Sequence, residues 1–426
     1  MITEAAMRSK RLSIALALIA AAILSQACDT ATSGTSSSSG SAYTLSDGSA
    51  VTTTGTAYSS TASDESAILV TSGTLNLTNP TITKSGDISS GTESKKGTNA
   101  AVLASSSSAA IAITGGSISS SATGGNAAFA YNGATLSLDG TTIACTGTGD
   151  CRALYATYAG VISATSVTAT TTGKNSSVVA TDMGGGTITL TGGSFAASGA
   201  DSAGLYSTGA ITGSGITASS AVGEACVIEG SNSIALTGSS VLASGAGNRG
   251  IMMLQSGSGD AGSGYNASFS MKGGSISTTT KASTNSSNTF SALVPVFEVV
   301  CNATGTIALT DVAVTSASGL LMEVDYNTRW STNGATGNLV LASSSGSYAV
   351  SGDVIADSYS AATVSVGSGV TWTGSFDSSN SAKSGSVTIA SGGTWVLSGN
   401  SYVDSLTNNG TVTKGAYTLY VNGSAI

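Results

Sequence analysis

The amino-acid sequence predicts an all-β solenoid wound in coils of about 25 residues. The composition is the first reason. Ser, Thr, Gly and Ala dominate the 426 residues, 8% are charged, and there are two prolines. Such a chain lacks the high charge of disordered segments and the proline content of a linker or mucin-like stalk. The second reason is a recurring phrase, apolar-any-apolar, four residues, apolar. It appears as Leu75/Leu77/Ile82, Ile111/Ile113/Ile118, Leu136/Leu138/Ile143 and Ile188/Leu190/Phe195, and returns as Ile234/Leu236/Val241, Phe269/Met271/Ile276 and Ile307/Leu309/Val314. Period-two alternation means strands, and the intervening TGGS, LDGT and KGGS mean sharp corners.

The third reason is a second phrase lying between these copies: NAAVLA, NAAFAY, DCRALYAT, NSSVVAT, DSAGLYST, EACVIE and NRGIMM. Its lead position holds Asn99, Asn126, Asp150, Asn175, Asp201, Gly223 and Asn248. Asn, Asp and Gly tolerate the left-handed backbone region, so one tight corner per coil is expected there. Four positions on come Leu103, Ala130, Leu154, Val179, Leu205, Val227 and Met252, an all-apolar set that reads as a core ladder. Three short strands and their turns account for each coil. Stacked at ~4.8 Å, roughly a dozen coils make a rod on the order of 60 Å long.

Taken from the N-terminus, residues 1–27 read as an export signal. Arg8, Lys10 and Arg11 precede an uncharged apolar run, Leu12 to Leu24, and Ser25-Gln26-Ala27 supplies a small-residue cleavage site. The run is too short to span a membrane as a helix. Cys28 follows at once, so the segment resembles a bacterial lipoprotein signal, in which that cysteine is acylated. It departs from the pattern in placing Leu24 four residues before the cysteine and Ser25 three before. The other reading is plain cleavage after Ala27. Residues 28–42 are a Ser/Gly-rich tether and 43–426 a single β-helix domain, with 43–65 and the C-terminal NNGTVTKGAYTLYVNG as end caps.

The Asn corner with three short strands per coil looks like the right-handed parallel β-helix. The texture resembles autotransporter passengers and adhesin-like surface proteins, most of all over 391–423. The likeness covers most of 45–423 and is one of texture, without a catalytic motif. It implies a non-enzymatic surface or secreted protein, exported and held at the cell surface or outer membrane, or released. Its expected partner is a glycan or a host or cell-surface ligand. Two alternatives stand beside it: a carbohydrate-active β-helix enzyme (polysaccharide lyase or hydrolase), and a purely structural envelope protein.

The chemistry of the sequence bears on that choice. Net charge is −8 and there is no histidine, which argues against nucleic acid as partner and removes the commonest general base and metal ligand. No metal or cofactor is expected. Acids are scattered: only Asp150 and Asp201 share a repeat rank, two coils apart, whereas Asp182, Glu224 and Glu229 fall at three different ranks. Cys145 and Cys151 span a TGTGD turn and could close a small disulfide; Cys226 and Cys301 lie in apolar contexts. Thr runs at 52–54, 170–172 and 278–280 do not recur at one rank, so no ice-binding array is expected.

The repeat is interrupted at 84–98, 255–268, 279–292 and 323–338, and insertions in a solenoid map to loops that carry function. The richest, EVDYNTRWSTNGATGN, offers Asp325, Tyr326, Arg329 and Trp330 as candidate binding residues, an aromatic beside polar groups being suited to a sugar or partner surface. The blander reading is that Trp330 covers the solenoid side. The 84–98 insert, with Lys84, Lys95 and Lys96, is expected to be a solvated turn. One groove gathering three or more acidic or basic side chains would favour the enzyme over the adhesin-like protein.

Overall fold

A computed structural model describes residues 41–245, 249–262, 264–282, 290–327 and 333–426. The chain divides into two units, Met1–Gly34 and Thr35–Ile426, and every described residue belongs to the second. That unit is a parallel β-helix. Each coil lays down three strands, and equivalent strands of successive coils pair in parallel to build three ladders.

Among the described residues the first ladder has twelve strands, from Ser41–Leu45 to Asp353–Ala356. The second runs from Ala50–Thr54 to Ser405–Asn408, and the third from Ala57–Ser60 to Ala313–Ser316. The third is extended by a separate set, Tyr348–Ser351, Val370–Thr373, Thr394–Val396 and Thr411–Thr413. Ser233–Ala243 and Asn266–Thr278 run unbroken through the second corner and so join the second and third ladders into one sheet. In-register pairs such as Ala128↔Leu154, Leu154↔Val179 and Val179↔Leu205 advance by about 25 residues, the period read from the sequence.

The recurring phrase maps onto the interior as expected. Ile111 and Ile113 pair with Leu136 and Leu138 in the second ladder, Ile118 with Ile143 in the third, and all are buried. Stacking like on like gives continuous apolar columns, each buried aliphatic side chain contributing roughly 1.5–3 kcal/mol. Toward the C-terminus the third-ladder column carries Trp372 stacked on Trp395 (centroids 5.0 Å apart, planes 8° apart), with Val412 beyond. Their indole N–H groups donate to Gly352 O (3.0 Å) and Gly374 O (2.9 Å), so neither buried ring leaves a polar atom unpaired. The ends are treated differently. Tyr43 packs edge-on against Tyr58 at the first coil, and Ser424–Ala425 folds back antiparallel on Leu419–Val421 after the last.

Two sequence expectations need correction. Asn99, Asp150, Asn175 and Asp201 have φ of 68°, 52°, 51° and 53°, in the left-handed region, but Asn126 and Gly223 do not. In the coil of Asn126 the turn is made by Gly124 (φ 65°), which adopts that conformation without steric cost. Asn126 instead donates to Ser94 O (3.0 Å) and accepts from Arg152 N (3.0 Å). Asn248 lies outside the described residues.

The apolar set four residues after the corner is likewise not one column. The inward column is Val102, Ala128, Leu154, Val179, Leu205, Cys226, Ile251 and Phe297. Leu103, Val227 and Met252 pair instead with outward positions (Phe129, Tyr206, Glu298). The shift arises because the corner-to-strand distance varies between coils. Outward residues can be apolar here because the outer face of the first ladder is itself covered.

Candidate functional site

All four inserts adjoin the first ladder. Two lead into it: 84–98 follows Thr81–Lys84 and precedes Val102–Ser105, and 279–292 precedes Phe297–Val300. Two lead out: 255–268 follows Ile251–Leu254, and 323–338 begins within Leu320–Asp325. Of these, 84–98 and 255–262 are seen to pack on the outer face of this ladder, through Lys95 against Asp182 and Ser256 against Glu229, and that face carries two polar centres.

The first centre is built around tyrosines. Phe129, Tyr131 and Tyr155 stand on successive outward positions, with Phe129 and Tyr155 centroids 4.6 Å apart. The Tyr155 hydroxyl donates to Asp182 (2.9 Å), and that of Tyr206 donates to Glu229 (2.6 Å). Arg152 lies 4.7 Å over the Tyr155 ring and 3.8 Å from Asp182. From the first insert Lys95 Nζ reaches both Asp182 (4.0 Å) and Asp260 (3.5 Å), the latter on the second insert. Ser256 and Ser258 of the second insert donate to Glu229, and the Thr157 hydroxyl donates to Lys95 O (3.2 Å). Burial pushes the Glu229 and Asp260 carboxyls up, and burial beside carboxylates pushes the Tyr155 and Tyr206 hydroxyls well up.

This centre overturns two expectations. The acids are not scattered: Asp182 and Glu229 sit at one register, each aligned with Thr208 of the intervening coil, and Asp260 joins them from the insert. The short step from Leu205 to Cys226 hides that alignment in the sequence. Nor is 84–98 a solvated turn. Lys84 is buried and donates to Ala62 O (2.8 Å) and Gly86 O (2.5 Å), and Lys95 ties the insert down. The cluster is closed, however. The Asp182 side chain is 3% exposed, Glu229 is buried, and each is already engaged by hydroxyl or cationic partners.

The second centre is acidic. Glu298 and Glu323 are in-register neighbours, both buried, with Asp325 buried beyond them. Arg249 meets Glu298 through two contacts (2.7 and 2.5 Å) and Glu224 at 3.3 Å. Both carboxyl oxygens of Asp325 are buried without a hydrogen-bond partner. Burial, then the negative charges of Glu298 and Glu323, push its carboxyl up to about 9. No group of three or more His, Cys, Asp or Glu side chains among the described residues is arranged to hold a metal ion.

Of the candidate binding residues, Asp325 is therefore an interior group and not a surface one. Tyr326 is half-buried. Its N–H donates to Asp357 (2.8 Å), and its ring lies 4.9 Å from that of Tyr359, which is 59% exposed. Arg329, Trp330 and the lipidation candidate Cys28 lie outside the described residues. Cys145 and Cys151 are free, buried thiols, donating to Arg152 O (3.3 Å) and Gly125 O (3.1 Å); the disulfide that their spacing allows is not formed. Tyr359, Arg249 and Glu298 were not picked out from the sequence. The signal for Glu298 was present: an acid inside the apolar strand Phe297–Val300.

The outer face of the second ladder is unlike the first. The three Thr runs do lie apart, but single threonines share one rank: Thr54, Thr78, Thr114, Thr165, Thr191, Thr237 and Thr310, with Asp139, Ser214 and Lys272 between them. A shallow concavity of about 440 Å³ runs over part of this column, bordered by Thr191, Ser214, Thr237 and Lys272. Comparisons with protein-family models, with curated proteins and with solved structures find no match to the chain.

Proposed function

We propose that the protein is a non-enzymatic, exported, adhesin-like β-helix protein that binds glycans or surface ligands on the insert-bearing side of its first ladder. The observation that carries this reading is that the inserts 84–98 and 255–262 pack on the outer face of the first ladder, with Tyr326 and Tyr359 paired after its later strands. A stiff coil stack with loops on one side suits display: the ladders hold position and the loops supply contacts. A glycan array should show binding without turnover. Tyr359→Ala should weaken it at least about tenfold, equivalent to ~1.4 kcal/mol, and Trp330→Ala should weaken it too. Retention of full binding by both variants would remove this site.

The convergence of Asp182, Glu229 and Asp260 favours a second reading, a carbohydrate-active enzyme. Glycoside hydrolysis needs two carboxyl groups open to the scissile bond, and of these three Asp182 and Glu229 are buried. Release of new reducing ends or unsaturated sugars from polysaccharide, abolished by Asp182→Asn, would establish the enzyme instead. For localisation, labelled palmitate should enter the protein and be lost in Cys28→Ser; label that survives the substitution would contradict a lipid anchor.

A further inference from the structure

We infer that Cys145 and Cys151 form a modification site, at which a small disulfide oxidant closes them into an intramolecular disulfide across the corner between the third and first ladders. Neither thiol lies among the proposed binding residues. Cys145 ends the third-ladder strand Thr142–Cys145, where alternation turns its side chain inward with that of Ile143. Cys151 stands three residues before Leu154, the inward residue that opens the next first-ladder strand. The TGTGD turn between them doubles the chain back, and both side chains are buried in the solenoid interior.

The sulfurs meet there. Each reaches toward the residue that follows the other. Cys145 Sγ donates to Arg152 O (3.3 Å), and Cys151 Sγ lies 3.8 Å from Ser120 O, the carbonyl that accepts Thr146 N (2.7 Å). The two thiols also hydrogen-bond to each other. Adjacent coils place Ser120 and Gly125, then Thr171 and Ser176, at the same two positions, and of the three coils only this one carries sulfur at both. Ser176 and Ser202 use their hydroxyls to accept an N–H of the coil before, Cys151 N (3.0 Å) and Ser176 N (2.8 Å). Cys151 instead donates its S–H to Gly125 O (3.1 Å).

The chemistry is thiol–disulfide exchange. Burial, and then the hydrogen bond with Cys151, push the Cys145 thiol well up. Burial acts the same way on Cys151, but hydrogen bonds, that with Cys145 foremost, outweigh it and bring this thiol below its ordinary value. Cys151 is therefore the first nucleophile. Its thiolate attacks one sulfur of oxidised glutathione and expels a glutathione thiolate, leaving a mixed disulfide. Cys145, losing its proton, then attacks the Cys151 sulfur and expels the second glutathione. One S–S bond breaks in the oxidant and one forms in the protein; two electrons pass to glutathione, and the two thiol protons end on its two thiolates. Access runs through the turn, whose Thr146 and Thr148 are exposed and whose local opening uncovers both sulfurs. Closure also fixes the backbone of Arg152, whose guanidinium lies 4.7 Å over the Tyr155 ring, and so stiffens the first polar centre.

The test incubates the full chain, first reduced with a phosphine, in mixed reduced and oxidised glutathione under native conditions. Free thiols are then capped with N-ethylmaleimide and the chain is digested with trypsin. No Lys or Arg lies between Lys96 and Arg152, so both cysteines fall in one peptide, 97–152. That peptide should carry no maleimide and be lighter by the two thiol hydrogens, and cleavage before Asp150 should leave the Cys145 and Cys151 fragments joined. The urea midpoint of the oxidised chain should lie above that of the reduced chain, with no such shift in Cys145→Ser or Cys151→Ser. The peptide products are read in wild type, so a variant that fails to fold leaves them decisive. Maleimide on both cysteines after oxidation, a lasting glutathione adduct on either, or a bond from either to another cysteine would overturn the inference.

Discussion

Gly199→Ala is expected to destabilise the solenoid by about 3 kcal/mol or more, at the upper end of what overpacking costs. A Cβ at Gly199 would lie 1.7 Å from Gly173 O of the coil beneath, a backbone atom that cannot rotate away. The same relation recurs down the stack: Gly173 against Gly147 O, Gly147 against Ala122 O and Gly86 against Ala62 O, each at 2.1 Å. These glycines are needed for close approach of backbones at the corner entering the first ladder. An added methyl forces adjacent rungs apart and breaks their hydrogen bonds. Gly257→Ala is the control, because a Cβ there meets nothing within 4 Å. Thermal and urea melts followed by circular dichroism should separate the two variants clearly. Wild-type stability in Gly199→Ala would contradict the coil spacing itself.

The second large effect is expected at Arg249. Its side chain is 4% exposed and that of Glu298 fully buried, so Arg249→Met leaves a buried carboxylate without its counter-charge. Removing one partner of such a pair costs about 3–5 kcal/mol. Because replacing both partners by apolar groups is close to neutral, Arg249→Met with Glu298→Met should recover much of the loss. Asp325, in the same centre, gives a pH signature. In the folded chain its carboxyl keeps its proton to about pH 9, whereas an ordinary aspartate releases it near 3.8. The folded state therefore binds more protons across that interval, so this group lowers stability as pH rises through it. Asp325→Asn should flatten the decline between about pH 4 and 9 and raise neutral-pH stability on the order of a few kcal/mol. Urea melts at pH 5, 7 and 9 read both quantities; an unchanged pH slope in Asp325→Asn would contradict a buried neutral carboxyl.

The fold was legible because the interior repeats strictly. Ile111, Leu136, Ile162 and Ile188 occupy one stacked column, and such identity at period two leaves little freedom of register. The left-handed corner was legible wherever Asp or Asn makes it, and it was misplaced where Gly124 takes over from Asn126. The site was harder to read. Asp182 and Glu229 share a rank only after a shortened coil is allowed for. Asp260, like Lys95, arrives on an insert whose path no periodicity describes. Tyr326 was identified from local richness in its insert. Its partner Tyr359 comes from the next coil, a contact visible only once coils are stacked. Outward apolar residues such as Leu103 looked like core because they are buried, though against inserts and not inside the solenoid.

The claim that function resides on the insert-bearing side is tested most directly by hydrogen-exchange protection on binding a glycan that the array selects. Protection should appear at 323–327 and 357–360, with little change at the threonine column of the second ladder. Protection centred on 189–191, 212–214 and 235–237, with the inserts unaffected, would place the binding surface on the hydroxyl-lined face and contradict the account.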